Sequence, residues 1–525
     1  MSGARAGSTA RTAGALAVAA FLLYALSGGG RIVGSDEVTM FELSRALAHG
    51  GIAVPVGATL DGPDGRHYTK NAAGQAVLAL PLVAASEAAA RAAHLPAPRA
   101  TLAARFGASF FNAVLTALLL AVFYAAARGL GVGARSALAA AALLGLTTPV
   151  WAYAKSFMAE PLESLGLLLA LLGAARAGAG EERALPGERR WSWLAALGAF
   201  LAFEAKPSML PFALLCLLPL GIRRPRRWLT PLAGVALAAA GHLAYDYLRF
   251  GTPLETGYGA QATPAGFTTP LLVGLYGLLL SSGKGVVWFA PALLLVPWGL
   301  AEMLRPRAHR DAPRHGGAVA RVGWTVLWLW IAGLPLYAGF QHWAGDGSFG
   351  PRYLVPLLPP AFLAVAFALA GASRARRRMA WILGLAGLLV TLGGVSIYFG
   401  AQMREAGDYP YARPLDDPHF MEASHFNPRF SPIAGHWRML ARNAGEHLRG
   451  ELPRLGAAGT PDPRLGVSAA DQSQLLHALD FWWLYALYAG TPRAPVLGGA
   501  LLLALLLAVA LARLRGAFLA EARTG

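Results

Sequence analysis

Long apolar runs, each closed off by clustered charge, recur from one end of this 525-residue sequence to the other. A soluble core cannot absorb so many, whereas a bilayer is a solvent for all of them. Charged residues make up 14% of the chain against 56% hydrophobic, too few to cover a soluble domain of this length. The runs place spans at about 12–29, 106–127, 136–150, 158–175, 191–204, 208–221, 229–247, 285–303, 322–339, 353–372, 379–399 and 495–512. The expected fold class is an all-α polytopic membrane protein of about a dozen transmembrane helices. Arg5 and Arg11 precede the first run, Ala13–Ser27, which also has the look of a signal peptide. Further spans follow it, and no small-residue cleavage site opens a soluble domain, so the run is read as a retained span. Cys216 is the only cysteine and sits inside an apolar run. It is read as packing, and a disulfide framework is excluded.

The formal charge of +17 invites a nucleic-acid reading, but its distribution argues otherwise. With both termini in the cytoplasm, the excess of arginine falls on the inner loops and the outer loops are close to neutral. Arg223–Arg224–Arg226–Arg227 and Arg374–Arg376–Arg377–Arg378 both lie in short inner connections, as the positive-inside rule requires. The basic residues lack interleaved stacking aromatics in a soluble module, so no nucleic-acid partner is expected.

Four outer segments are too long or too polar to be plain turns: 30–105, 249–283, 340–352 and 400–494. The inner connections 176–190, 222–228 and 304–321 are shorter and rich in Arg and Pro. In the first outer loop, Met40, Leu43 and Leu47 form one apolar stripe of a short helix over Val38–Ala48, expected to lie along the membrane surface. Ser35 or Asp36 is its expected cap, with Glu37 in the first turn. A turn follows at Asp61–Gly62–Pro63–Asp64–Gly65, then a second helix over Ala73–Ala93, interrupted by Pro81. No internal repeat of fixed period is present, which disfavours an inverted-repeat transporter.

Several residues in these segments suit chemistry. Asp36 and Glu37 are adjacent at a helix start and so point in different directions. One carboxylate can enter a cavity as a general base while the other satisfies backbone N–H groups, although the pair also reads as ordinary capping. All but four of the 45 basic Lys and Arg residues are arginine, and the four lysines, Lys70, Lys155, Lys206 and Lys284, all fall on the expected outer face. An ammonium is a compact charge suited to a single phosphate oxygen. The lysines therefore suggest a cationic rim for an anionic head group, with interfacial snorkelling as the plainer reading. The stretch from His342 to Tyr353 is dense in Gly and specific side chains. Trp343 can stack on a sugar or isoprenoid, Asp346 can bond hydroxyls, and Arg352 can clamp phosphate bidentately. Glu160 near a span start is an expected structural partner for Lys155 or Lys70. Ser281–Gly285 is not a phosphate loop, because Leu278 stands where a Gly is required and Gly285 where Ser or Thr is. His342, His419, His425 and His436 have no zinc-like spacing, so no metal and no cofactor is indicated.

Gly34–Ser35–Asp36–Glu37 before an amphipathic helix, then Tyr68–Thr69–Lys70 and Gly74–Gln75, resembles the first outer loop of the GT-C superfamily of polyprenyl-phosphate-sugar-dependent glycosyltransferases. Trp151…Lys155…Glu160–Pro161, Ser281–Lys284 and Gly350–Pro351–Arg352–Tyr353 resemble bacterial relatives of its mannosyltransferase branch, and the similarity runs from residue 12 to about 400. The resemblance implies an inverting hexosyl or pentosyl transfer in a bacterial inner membrane. Asp36 would be the general base, with Glu37 and Glu160 as supporting acids. Lys70, with Lys284, Arg352 and Lys155, would bind the donor phosphate, and Tyr68, Trp343 and Asp346 the sugar or acceptor. It divides the chain into a catalytic core over 1–400, an outer segment over 401–494 on the acceptor side, and a last span with a tail over 495–525. The donor would be a sugar on a polyprenyl phosphate. The acceptor (protein, lipid or glycan) stays open, since 400–494 matches no motif. A transporter or lipid flippase is the rival reading, and it would carry ionisable groups at mid-membrane. Here the charges gather at span ends.

Overall fold

The structure, a computed structural model, describes residues 3–55, 57, 59–179, 188–221, 225–305, 316–408, 413, 417, 419, 421–456 and 468–524. Arg223, Arg224 and parts of the inner connections and of 400–494 lie outside these described residues. The chain forms a multi-pass bundle of α-helices, with a single two-stranded ribbon among the described residues.

Among the described residues, eight helices are long and apolar enough to cross a membrane. Four further expected spans differ from that pattern. Ala134–Leu146, Pro207–Leu220 and Pro291–Leu304 are shorter apolar helices, and 191–204 lies within the helix Glu188–Ala205. At ~1.5 Å per residue, 13 or 14 helical residues reach about 20 Å, short of a ~30 Å hydrocarbon core. Prolines divide two of these: Pro207 and Pro219 bound a broken helix, and Pro291 opens a 3₁₀ turn. The expected outer loop 249–283 also contains a helix, Leu271–Leu280, against the end of Gly316–Gly339; Gly274 abuts Ala338. Ten residues cannot span, so the run packs at the bundle's end instead.

Burial varies with position in the bundle. Glu160–Gly178 and Leu358–Ala370 are buried on almost every side and form its centre. Glu160–Gly178 packs on Glu188–Ala205 through a seam of small residues. A Cβ added at Gly173 would meet the Ala195 nitrogen at 2.4 Å, and one at Gly198 the Ala170 nitrogen at 2.1 Å. Without a hydrophobic drive between helices in lipid, such backbone approach supplies the packing. Arg493–Thr524, mostly exposed, lies along the first helix, Gly3–Ser27. At one end Thr9, Tyr124 and Arg128 all bond the Glu521 carboxylate, each at 2.7 Å. At the other end the Trp482 amide donates to the Gly28 carbonyl at 2.7 Å and its indole to Ala25 at 3.0 Å. The two termini therefore lie at the same end of the bundle.

The first outer segment is built into this opposite end. Its helix is Ser35–Ala48, capped at Gly34 rather than by Ser35 or Asp36, and the Glu37 carboxylate accepts from the Gly34 amide at 2.7 Å, the half of a capping box that a glycine allows. It does not simply lie on a surface: Met40, Phe41 and Leu43 are buried, and so are Glu42 and Ser44. Glu42 is neutralised by Arg45 and Arg105, which explains a carboxylate on an inward face. The predicted turn at 61–65 joins the ribbon, where Leu60 pairs with Tyr68 and Asp61 with His67. The second helix, Gly74–Ala92, runs through Pro81 without a break, against expectation. Proline forfeits one backbone bond there, but buried Ala79 and Val83 on either side keep the helix packed. Within 400–494 the described residues are short helices that cover the same end, the longest being Pro432–Leu448.

Candidate active site

All four lysines occur at the end of the bundle opposite the termini, but they divide into two roles. Lys70 and Lys206 face Asp36, whereas Lys155 is engaged by the Asp480 carboxylate and two backbone carbonyls and Lys284 by one turn.

Asp36 stands in the first turn of Ser35–Ala48 and its side chain is one-fifth exposed. One carboxylate oxygen accepts from Arg352 Nη1 at 3.1 Å, and Lys70 Nζ lies 3.9 Å from the other. The approach of Lys70 is fixed by a polar stitch beneath it. Thr69 Oγ1 bonds Thr39 Oγ1 at 3.0 Å, and Asn71 Nδ2 donates to Thr39 Oγ1 at 3.0 Å and to the Asp36 carbonyl at 3.4 Å. Arg249, fully buried, donates to the Thr69 carbonyl and to Asp246, holding the same strand from the other side. Lys70 is left pointing over the Tyr258 ring, 5.3 Å from its centroid. Burial pushes the Asp36 carboxyl up, but Arg352, Lys70 and Lys206 together hold it below its ordinary value.

Arg352 is the hub of this cluster. Besides Asp36 it donates through Nε to Glu160, which is thus paired with Arg352 and with neither lysine proposed for it from sequence. One turn further along that helix is Glu163, also buried, and Lys206 acts electrostatically on both acids and on Asp36. The Lys206 ammonium sits 4.5 Å from the Tyr353 ring centroid, and Tyr353 stacks on Tyr337 at 4.9 Å. Three cations and three carboxylates therefore meet where the first outer segment, the start of Glu160–Gly178 and the start of the 3₁₀ helix Arg352–Leu357 converge. The sequence places Lys206 in a cationic rim with the other lysines but gives no sign of its acidic partners, and nothing in it marks Tyr258. Only the chain's long-range course brings them in.

The other expected site residues are placed elsewhere. Glu37 turns away from Asp36: its oxygens accept from the Gly34 amide at 2.7 Å and from the Phe157 amide at 2.5 Å. Tyr68 is buried, with its hydroxyl on Asp64 at 2.7 Å, and braces the ribbon. Trp343 packs between Gly277 and the His425–Phe426 pair, with ring centroids 5.6 and 5.5 Å away. Asp346 bonds His342 Nδ1 at 3.2 Å. Lys155 donates to Asp480 Oδ2 at 2.9 Å and to the carbonyls of Asp480 and Val395, each at 2.6 Å. Arg31 holds the other Asp480 oxygen at 2.7 Å and lies between the Tyr398 and Tyr485 rings. This second cluster borders a cavity of about 110 Å3 that is also lined by Glu37, Tyr153 and Ser348. Lys284 is fully buried and donates to Asp346 O at 2.9 Å, Ser348 O at 2.6 Å and Ser348 Oγ at 3.2 Å. Burial lowers its ammonium to about 7; Asp346 opposes that and Arg352 adds to it. Among the described residues no group of three or more His, Cys, Asp or Glu side chains is arranged to hold a metal ion.

No protein-family model matches the chain, and no curated protein matches it. Solved structures similar to it include some that hold a long-chain isoprenoid phosphate. ArnT from Cupriavidus metallidurans bound to undecaprenyl phosphate is 14% identical, over 89% of this chain and 84% of that one, with a TM-score of 0.45. ArnT in the apo state is 13% identical over 97% and 75%, with a TM-score of 0.46. The archaeal oligosaccharyltransferase AglB from Archaeoglobus fulgidus, in complex with an inhibitory peptide and a dolichol-phosphate, is 13% identical over 72% and 54%, with a TM-score of 0.43.

Proposed function

We propose that this chain is a GT-C-type inverting glycosyltransferase that moves a sugar from a polyprenyl-phosphate donor to an acceptor hydroxyl at the outer face of a bacterial inner membrane. The observation that carries the reading is the Asp36 carboxylate held between Arg352 and Lys70, with Lys206 close by. Such a site sets an anionic base beside three cations that can meet a leaving phosphate. The order of the sequence motifs, from Asp36 through Lys70 to Arg352, supports the same assignment.

In this mechanism the acceptor oxygen attacks the anomeric carbon from the face opposite the phosphate. The new C–O bond forms as the bond to the phosphate oxygen breaks, and the electron pair leaves on the polyprenyl phosphate. The hydroxyl proton passes to Asp36. Its depressed pKa keeps Asp36 ionised at neutral pH, so it accepts the proton late, when bond formation has made the hydroxyl acidic. One displacement gives inversion. The charge that grows on the phosphate is met by Lys70, Arg352 and Lys206, which are fixed before the reaction starts. Glu160 and Glu163 hold Arg352 and Lys206 in position. The sugar is a hexose or pentose, and the acceptor is defined by the outer segment 401–494 with its neighbours.

The test incubates purified protein with labelled polyprenyl-phosphate sugars and membrane extract. Wild type is expected to give a labelled product, and Asp36→Asn to lower its rate by roughly 10²–10⁴ with the protein still folded. Full activity in that variant removes Asp36 from the mechanism. A folded wild type that labels nothing with any donor supports the transporter reading instead.

A further inference from the structure

Lys284 donates three hydrogen bonds, and all of them go to one short turn. Its ammonium meets Asp346 O, Ser348 O and Ser348 Oγ, and the Ser348 amide adds a fourth bond inside the turn, to Asp346 O at 2.8 Å. That turn is left-handed at two successive residues, Gly345 at φ +69° and Asp346 at φ +50°. Asp346 is one of three non-glycine residues in that region among the described residues, so the conformation needs something to hold it. The side chain of Arg352 rests on this turn. A Cβ added at Gly345 would stand 2.7 Å from Arg352 Cβ and 3.3 Å from Cδ, so the missing side chain is the space the arginine stem occupies. From there the guanidinium reaches Asp36 and Glu160.

We propose that Lys284 is a positioning residue: by clamping the Gly345–Ser348 turn from inside the protein it sets where the Arg352 stem lies, and so where its guanidinium meets the donor phosphate. The inference rests on the reading that Arg352 binds that phosphate. Lys284 is fully buried and its ammonium is engaged with the turn, so it acts without touching the donor. It lies in the stretch Ser281–Gly285, whose lysine no phosphate-loop pattern explains. Its partners, two backbone carbonyls and a hydroxyl, suit a compact, many-donor cation at this position.

A binding cycle on the full-length protein in lipid nanodiscs tests this, with undecaprenyl phosphate as the probe and gel filtration as the check on folding. Arg352→Met and Lys284→Met are each expected to weaken binding by about tenfold. The double variant is expected to bind no more weakly than Arg352→Met alone, because the lysine then has no arginine to place. Gly345→Ala, which crowds the stem directly, is expected to repeat that non-additivity, and it decides the question if Lys284→Met does not fold. Losses that multiply in the double variant, or wild-type binding by folded Lys284→Met, overturn the positioning role. Wild-type binding by folded Arg352→Met instead overturns the phosphate role of Arg352, and the inference with it.

Discussion

Replacing Asp480 by Asn tests the second ionic cluster, which ties the late outer helices to the beginning of the chain. Asp480 is the shared counter-ion of Arg31, at 2.7 Å, and Lys155, at 2.9 Å, and none of the three side chains is more than 17% exposed. At an effective dielectric of about 20, a charge pair separated by about 4 Å attracts by about 4 kcal/mol, so two pairs give about 8 kcal/mol before desolvation. Much of that is lost in taking the charges out of water. Removing one partner of a buried pair nevertheless costs about 3–5 kcal/mol, because the remaining charge is stranded. Asparagine preserves the shape and one acceptor, so a loss near the lower end, about 3 kcal/mol, is expected. Denaturant unfolding of the detergent-solubilised protein measures it. Trp482 serves as a local reporter, since its amide and indole are bonded to Gly28 and Ala25 beside the cluster. Asp480→Asn with stability unchanged within about 0.5 kcal/mol would refute the argument. So would a Lys155→Met/Asp480→Asn double variant that lost the full sum of the two single effects, since the pair would then be uncoupled.

The same group sets a pH response. Burial raises the Asp480 carboxyl, but Lys155 and Arg31 outweigh it and hold it well below the ordinary range. A depressed carboxyl contributes stability that is complete above its unfolded value of about 4 and drains away as pH falls towards the folded value. Midpoints measured between pH 7 and pH 3 should fall mainly below pH 5 in wild type, and less in Asp480→Asn. Glu37→Gln should cost about 1.5–3 kcal/mol of stability, because it weakens the charge-assisted bonds from the Gly34 and Phe157 amides, while the transfer rate per folded molecule stays near wild type. A selective collapse of turnover would instead give Glu37 a chemical role. Lys206→Gln should weaken undecaprenyl-phosphate binding by about tenfold, with the loss shrinking in high salt; binding insensitive to the change would take Lys206 out of the phosphate site.

What could be read in the sequence was governed by distance along the chain. The bundle followed from apolar runs, and the Asp36–Glu37 divergence followed from helix geometry: one carboxylate faces the cations and the other caps the backbone. Lys70 is within the same outer segment as Asp36, and local hydrogen bonds fix the two together. Arg352 was visible as an anion clamp only in the sense that a lone arginine among glycines invites one; that its partners would be Asp36 and Glu160 depends on contacts over 316 and 192 residues. Lys155 and Lys284 lie at the same end as Asp36, but sequence cannot tell a lysine that faces Asp36 from one engaged by Asp480 or by backbone carbonyls. Trp343 looked like a sugar platform because tryptophan suits one, yet Gly277 leaves room for it to pack inside. Arg31 and Asp480 carried no local signal, being 449 residues apart. Span lengths failed where prolines broke apolar runs into pieces too short to cross.

The Asp480 clasp also imposes an order on biogenesis. At about 5–20 residues per second, a ribosome needs roughly 20–90 seconds after making Arg31 to deliver the carboxylate that neutralises it. Until then Arg31, and Lys155 once it is made, lack their buried counter-ion and are best served by water or lipid head groups. Their charges are neutralised only when Asp480 docks against them.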